Sequence, residues 1–118
     1  LDPARIKQVI LNLLINARQA MTARGHGRIT VITRPDSAGG FGEILEIVDD
    51  GPGMDASTLE RAFDVYYSTK KGGSGLGLAL VRRVIEAHDG QVEIQSAPGH
   101  GTRVMLRLPR AGNTAAQA

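Results

Sequence analysis

The feature that most constrains the fold is a pair of glycine-rich segments that interrupt the periodic parts of the chain. Residues 49–53 (Asp-Asp-Gly-Pro-Gly) and 72–77 (Gly-Gly-Ser-Gly-Leu-Gly) hold too many chain-breaking residues to continue a helix or a strand. These segments therefore divide the chain into separate elements that must pack on one another. A length of 118 residues predicts one domain with a single core.

Three segments have helical spacing. Asp2 can cap a long helix, in which apolar residues recur at helical spacing to about Arg24. Asp55 can cap a short helix before the second glycine-rich segment. A further long helix is predicted over residues 76–88, and Gly90 is expected to be its left-handed cap.

Four segments rich in β-branched residues are predicted to be strands, which pair as two hairpins: residues 28–34, 43–49, 91–96 and 102–108. These elements predict an α+β fold, a two-layer sandwich with helices on one face of a mixed, mainly antiparallel sheet. We expect the domain to span residues 1–109. Residues 110–118 are small and polar and predict a flexible C-terminal tail.

Composition excludes several classes of function. The chain has no Cys, which excludes disulfides and thiolate metal sites, and its apolar runs are far shorter than the roughly 20 residues of a membrane span. A net charge of +2 and only four aromatic residues argue against nucleic acid as a partner. We expect a cytoplasmic, monomeric domain, whose parent protein can still be anchored in a membrane.

Asn12 and Asn16 lie four residues apart on the first predicted helix, so their carboxamides project side by side. Amide oxygen is a neutral ligand that can complete the shell of Mg²⁺ while phosphate oxygens supply the charge. The alternative is that each Asn only forms hydrogen bonds within its surroundings.

Each glycine-rich segment fits a ligand and also has a plain structural explanation. Asp49, at a strand end, can accept from an exocyclic amine such as that of adenine, but Asp and Gly also form ordinary turns. The segment that enters the last long helix can hold phosphate on its free backbone N–H groups. Glycines at such a place also permit close packing.

The order of these signals resembles one superfamily. Paired Asn residues, then Asp-x-Gly-x-Gly after a strand, then Gly-x-Gly-x-Gly before a helix are similar to the ATP-binding catalytic domain of two-component sensor histidine kinases. Residues 9–17 match the family's Asn motif, 49–53 and 73–78 its two glycine motifs, and 63–70 its lid motif. The resemblance implies the Bergerat ATP-binding fold, which type II topoisomerases and large heat-shock chaperones share.

The resemblance also implies the role of each site residue. Asn16 would be the principal Mg²⁺ ligand, Asn12 would support the metal and the reacting phosphates, and Asp49 would bind the adenine amino group. The adenine pocket would be shaped by Gly51 and Gly53.

For the phosphates, the resemblance implies an ATP lid over about residues 54–74. Lys70 would reach the terminal phosphates, although a solvated lid lysine would look the same in sequence. The triphosphate path would be lined by Gly73, Gly75 and Gly77, with Leu76 as an anchor of the lid end.

One position separates branches of the superfamily. Hydrolysing members carry a Glu as general base four residues before the metal-binding Asn, and this chain has Asn12 there. Because Asn cannot accept a proton, the resemblance favours a kinase that transfers the γ-phosphoryl group of Mg-ATP to a histidine on a separate dimerisation domain. A response regulator receiver domain would be the next partner. The alternatives are a hydrolase of the same fold and a non-catalytic nucleotide-binding regulator.

Two positions depart from many histidine kinases. Gln19 and Ala20 stand where a Lys and an aromatic residue are common, which removes one expected phosphate contact. The lid motif resembles the Thr-Thr-Lys variant of nitrogen- and dicarboxylate-sensing kinases, in which Lys70 could compensate.

Overall fold

The computed structural model describes residues 2–22, 25–36, 42–64 and 77–109. These hold three helices, α1 (Pro3–Ala20), α2 (Ala56–Glu60) and α3 (Gly77–Ala87), and four strands, β1 (Ile29–Pro35), β2 (Glu43–Asp49), β3 (Gln91–Ser96) and β4 (Thr102–Leu108). Among the described residues, no helix is long and apolar enough to cross a membrane. The predicted tail, residues 110–118, lies outside this part of the chain.

The four strands form one sheet in the order β1-β2-β4-β3. The pairs β1–β2 and β3–β4 are the two predicted hairpins, and β2 joins them by pairing with β4. Every neighbouring pair of these strands is antiparallel. The α+β sandwich with a mainly antiparallel sheet is therefore confirmed, and the described part of the sheet contains no parallel pair.

The core lies between the sheet and the two long helices. Alternate residues of β2 and β4 point toward the helices, and the apolar stripes of α1 and α3 meet them there. Each fully buried aliphatic side chain contributes about 1.5–3 kcal/mol by leaving water. The buried cluster consists of Val9, Leu13, Leu45, Ile47, Val81, Val84, Ile85, Val104 and Leu106.

The long helices lie antiparallel, and α1 approaches both ends of α3. The backbone N–H of Asp2 donates to Nε2 of His88, 3.2 Å away, and Nδ1 of that ring donates to the Val84 carbonyl at 2.8 Å. At the other end, Nδ2 of Asn16 lies 3.4 Å from the position that a Cβ on Gly77 would take. The start of α1 is thus beside the end of α3, and Asn16 is beside its beginning.

The first helix begins as predicted and ends earlier. The Asp2 side chain caps it by accepting from the backbone of the first turn. The predicted end at Arg24 was wrong, because α1 ends at Ala20 and the chain turns at Met21. Met21 is buried, and its Cγ would lie 3.3 Å from a Cβ on Gly51. The turn that ends α1 therefore lies beside the first glycine motif.

The cap of α3 also differs from the prediction. Asp89 takes the left-handed conformation, with φ +63°, and Gly90 does not. The N–H groups of Asp89 and Gly90 donate to the Glu86 and Ile85 carbonyls, which closes the helix end. Gly90 is needed for another reason, because a Cβ there would lie 2.5 Å from the Arg107 carbonyl oxygen.

A charged residue is buried on the sheet face opposite the helices. Glu46 lies between two core residues of β2, so its side chain points the other way, and it is only 1% exposed. Nε of Arg34 lies 3.1 Å from one carboxylate oxygen, and Arg103 contacts the other. The two arginine side chains remain 45% and 40% exposed. One buried carboxylate therefore ties β1, β2 and β4 together.

We expect Glu46→Gln to lower the free energy of unfolding by about 1–3 kcal/mol, because the two arginines lose a buried charged partner while they keep access to water. Glu93→Gln is the matched control. It removes the charge of a carboxylate that is 45% exposed and lies 3.1 Å from Arg107, and should cost under about 1 kcal/mol. Urea unfolding measures both, and equal losses would contradict a special role for Glu46.

Candidate functional site

The site begins at Asp49, the last residue of β2. This residue is 8% exposed, and its Oδ1 accepts from the Gly51 backbone N–H at 2.9 Å. A Cβ on Gly51 would lie 2.9 Å from that oxygen and 3.6 Å from Cβ of Ala20. The turn and the end of α1 are therefore in contact, and a side chain at position 51 would displace the carboxylate.

The neighbouring acid has a different environment. Asp50 is exposed, and its Oδ1 accepts from the Arg28 backbone N–H at 2.8 Å. Its own N–H donates to the Arg28 carbonyl at 3.2 Å, which closes the end of the first hairpin. The structure thus separates a buried acid at the turn, Asp49, from an exposed one that holds strands together.

The hairpin turn at residues 97–101 forms a second wall behind the first glycine motif. Gly53 has φ +73°, and a Cβ there would lie 2.0 Å from the Ala97 carbonyl oxygen. Gly101 has φ +70°, and a Cβ there would lie 2.0 Å from the Asp49 carbonyl oxygen. The Gly99 N–H donates to the Pro52 carbonyl at 2.8 Å. Sequence reasoning missed this wall, because the glycines of residues 97–101 were explained by the hairpin turn alone.

The paired asparagines lie on α1, with different partners. Asn16 is half-buried and packs against the start of α3, where a Cβ on Gly77 would lie 3.6 Å from its Oδ1. Oδ1 of Asn12 accepts from Nε2 of Gln8 at 3.2 Å. The structure thus brings Asn16 and Gly77 together. Four other predicted site residues lie outside the described residues: Lys70, Gly73, Gly75 and Leu76.

The first part of the predicted lid is described as far as residue 64. Asp55 caps α2 as predicted, and its Oδ1 accepts from the Thr58 N–H at 2.8 Å. This backbone hydrogen bond, followed by one from the Thr58 side chain, lowers the pKa of Asp55 below its usual 3.8. The cap therefore keeps its full contribution above about pH 4 and loses it as the pH falls through the lowered pKa.

Phe63, in the predicted lid motif, contacts α3. The guanidinium carbon of Arg82 lies 5.3 Å from the centre of the Phe63 ring, within the range of a cation–π contact. The predicted lid is therefore attached to α3 at this point. The remainder of the lid motif lies outside the described residues.

The donor set of the site suits a metal that arrives with phosphate. Within the described ranges, no group of three or more His, Cys, Asp or Glu side chains could hold a metal ion. Asn12 and Asn16 offer neutral amide oxygens, so a divalent cation beside them needs anionic ligands from elsewhere. Phosphate oxygens at the start of α3 would supply them, because the N-terminus of a helix favours anions.

Comparison with known proteins identifies the family. Residues 1–112 match the family described as histidine kinase-, DNA gyrase B-, and HSP90-like ATPase. The chain is 44% identical over 108 residues to the signal transduction histidine-protein kinase AtoS of Escherichia coli. That match covers 92% of this chain and 17% of AtoS, so the chain spans about a sixth of the relative's length. The chain belongs to this ATPase family.

Solved structures agree with the sequence match. The catalytic domain of the histidine kinase ThkA has a TM-score of 0.78 at 28% identity, covering 93% of this chain and 70% of that one. Full-length ShkA in complex with AMPPNP has a TM-score of 0.76 at 27% identity, covering 92% of this chain and 22% of that one. Within the family, the chain corresponds to the catalytic and ATP-binding domain of a sensor histidine kinase.

Proposed function

We propose that residues 1–109 bind Mg-ATP and transfer its γ-phosphoryl group to a histidine on a separate dimerisation domain, in the cytoplasm. A response regulator receiver domain would then accept the phosphoryl group. The observation that carries this proposal is the arrangement along the last turns of α1. Ala20 faces the Asp49 turn, and Asn16, four residues or about 6 Å earlier along the axis, faces the start of α3. The helix thus connects a buried acceptor to an anion-binding helix end.

In this proposal, the adenine amino group donates to Asp49, in a pocket bounded by Gly51 and Gly53. Asn16 and Asn12 hold Mg²⁺ together with the phosphates, and the Gly77 end of α3 faces the triphosphate. Lys70, Gly73, Gly75 and Leu76 are proposed phosphate and lid residues on the strength of the motif match. Nucleotide binding is also supported by the similar protein ShkA, which was solved in complex with AMPPNP.

The proposed chemistry depends on positioning and on charge. Mg²⁺, when bound, neutralises charge on the phosphates. Phosphoryl transfer requires little covalent help from the protein beyond that and an aligned nucleophile. Asn12 stands where hydrolysing relatives have their base, and an amide cannot accept the proton of an attacking water. The position therefore favours an external nucleophile over hydrolysis.

The proposal is tested with γ-labelled ATP and Mg²⁺. The chain alone should stay unlabelled and release phosphate near background. Addition of the dimerisation domain of the same protein should give a label that is acid-labile and base-stable, as phosphohistidine is. Phosphate release by the chain alone that Asn16→Ala abolishes would establish the hydrolase instead. Nucleotide binding without label on the added domain would establish the non-catalytic regulator.

We expect Asp49→Asn to weaken ATP binding by about 1.5–3 kcal/mol, or roughly 10- to 150-fold, because a charged acceptor in a closed pocket is lost. Asp50→Asn is the matched control, since it makes the same change at the next residue and retains the oxygen that accepts from Arg28. It should change the affinity less than about twofold. Calorimetric titration measures both, and equal affinities for the two variants would remove Asp49 from the site.

A further inference from the structure

We propose that Ser96 is a positioning residue for the nucleotide site, acting through hydrogen bonds to Met54 and Gly101. This inference rests on the proposed function, because it assigns a support to the adenine end of that site. Ser96 is the last residue of β3 and lies more than 40 positions after Asp49 in sequence. It belongs to none of the motifs that the sequence analysis assigned to the nucleotide.

The Ser96 hydroxyl has three hydrogen-bond partners, one after the first glycine motif and two around the start of β4. It accepts from the Met54 backbone N–H at 2.8 Å and donates to the Gly101 carbonyl at 2.8 Å. Its third partner is the Thr102 hydroxyl, 2.9 Å away. A hydroxyl has one proton and accepts two hydrogen bonds, so Thr102 must be the donor when Ser96 donates to Gly101. All the hydrogen-bonding capacity of Ser96 is then used.

These hydrogen bonds act on both ends of the first glycine motif. Met54 directly follows the motif, so its hydrogen bond to Ser96 fixes the position of the chain at the end of residues 49–53. Gly101 meets the other end, since the Asp49 carbonyl oxygen lies 2.0 Å from where a Cβ on Gly101 would be. Ser96 therefore fixes the segment that carries the Asp49 carboxylate between the hairpin turn and the start of the predicted lid.

The nearby backbone contact acts at a different point of the motif. The Gly99 N–H bonds to the Pro52 carbonyl near the middle of the motif, whereas Met54 is held by the Ser96 oxygen. Loss of that oxygen leaves the Met54 N–H and the Gly101 carbonyl without this partner. The segment then loosens at the adenine end, while Asn16 and the start of α3 are unaffected.

The test compares Ser96→Ala with the unaltered chain. We expect the affinities for ATP, ADP and adenosine to fall by the same factor, about tenfold, with no change in the dependence of ATP binding on Mg²⁺. The exchange of the Met54 amide hydrogen should also become at least about tenfold faster in the folded protein. A purely structural role would lower the thermal midpoint and leave the affinities of the folded protein unchanged.

Two further variants complete the test. Ser96→Thr keeps the hydroxyl and should restore most of the affinity and the slow Met54 exchange. Glu93→Gln removes a side-chain charge of the same hairpin away from the turn and should change neither. Unchanged affinities in Ser96→Ala would overturn the inference, whether or not Met54 exchange becomes faster. Failure of the unaltered chain to bind any adenine compound would instead overturn the proposed function. In that case, the rate of Met54 amide exchange would still show whether Ser96 holds the Met54 N–H.

Discussion

Gly101→Ala is expected to abolish measurable ATP binding and to lower the free energy of unfolding by more than about 3 kcal/mol. The added Cβ would lie 2.0 Å from the Asp49 carbonyl oxygen and 3.1 Å from Cα of Asp50. Both are backbone atoms of a strand end held in the sheet, so neither can move as a flexible side chain would. Relief of the clash must therefore separate the hairpin turn from the segment that carries Asp49. Urea unfolding and calorimetric titration measure the two effects.

Gly99→Ala is the control for this prediction, because it places an alanine in the same left-handed backbone conformation without a clash. Gly99 lies in the same turn, with φ +80° against +70° for Gly101, and a Cβ there would meet nothing within 4 Å. The substitution should cost only about 1–2 kcal/mol, the strain of a left-handed alanine, and leave ATP affinity within about twofold. If both variants lost the same stability and the same affinity, the contact with Asp49 would have no separate role.

Asn16→Ala is expected to weaken Mg-ATP binding by about 100-fold or more, while ADP without metal loses less than about threefold. The reason is that the amide oxygen is proposed to contact the metal and makes no proposed contact with adenine. Asn16→Asp keeps an oxygen and adds a charge beside the phosphates. Its affinity for Mg-ATP should therefore lie between that of Asn16→Ala and that of the unaltered chain. Titrations with and without Mg²⁺ measure the difference, and equal losses for both ligands would make Asn16 a packing residue of the α1–α3 contact.

Local sequence patterns predicted most of the elements, because their signals lie within a few residues. Helical spacing located α1 and α3, β-branched runs located the strands, and Asp55 was recognised as a cap. The helix ends were less predictable. α1 ends where Met21 is buried beside Gly51, thirty positions away, and no local pattern contains that proximity. At the end of α3, a glycine next to an aspartate predicted the wrong residue, since Gly90 serves close packing against Arg107.

Motifs in the sequence predicted part of the candidate site, whereas the parts of the chain that support it from elsewhere gave no local signal. The sequence order assigned Asp49 and Asn16 to one site, and the structure puts the Asp49 turn beside Ala20, four residues after Asn16 on α1. Ser96 and Gly101 contact the first glycine motif from a hairpin whose local sequence is that of any tight turn. Glu46 was missed for a similar reason. Its arginine partners lie 12 and 57 positions away, and an acid within an apolar strand gives no sign of them.

The antiparallel contact of α1 and α3 has a consequence for how the proposed reaction is controlled. Asp2 is beside the last turn of α3, and Asn16 is beside its first, so residues 2 and 16 lie about 21 Å apart along the axis of α1. A force applied at residue 2 would act on the end of α1 that is remote from the proposed phosphate site. It would reach that site through the helix rather than by direct contact with the nucleotide.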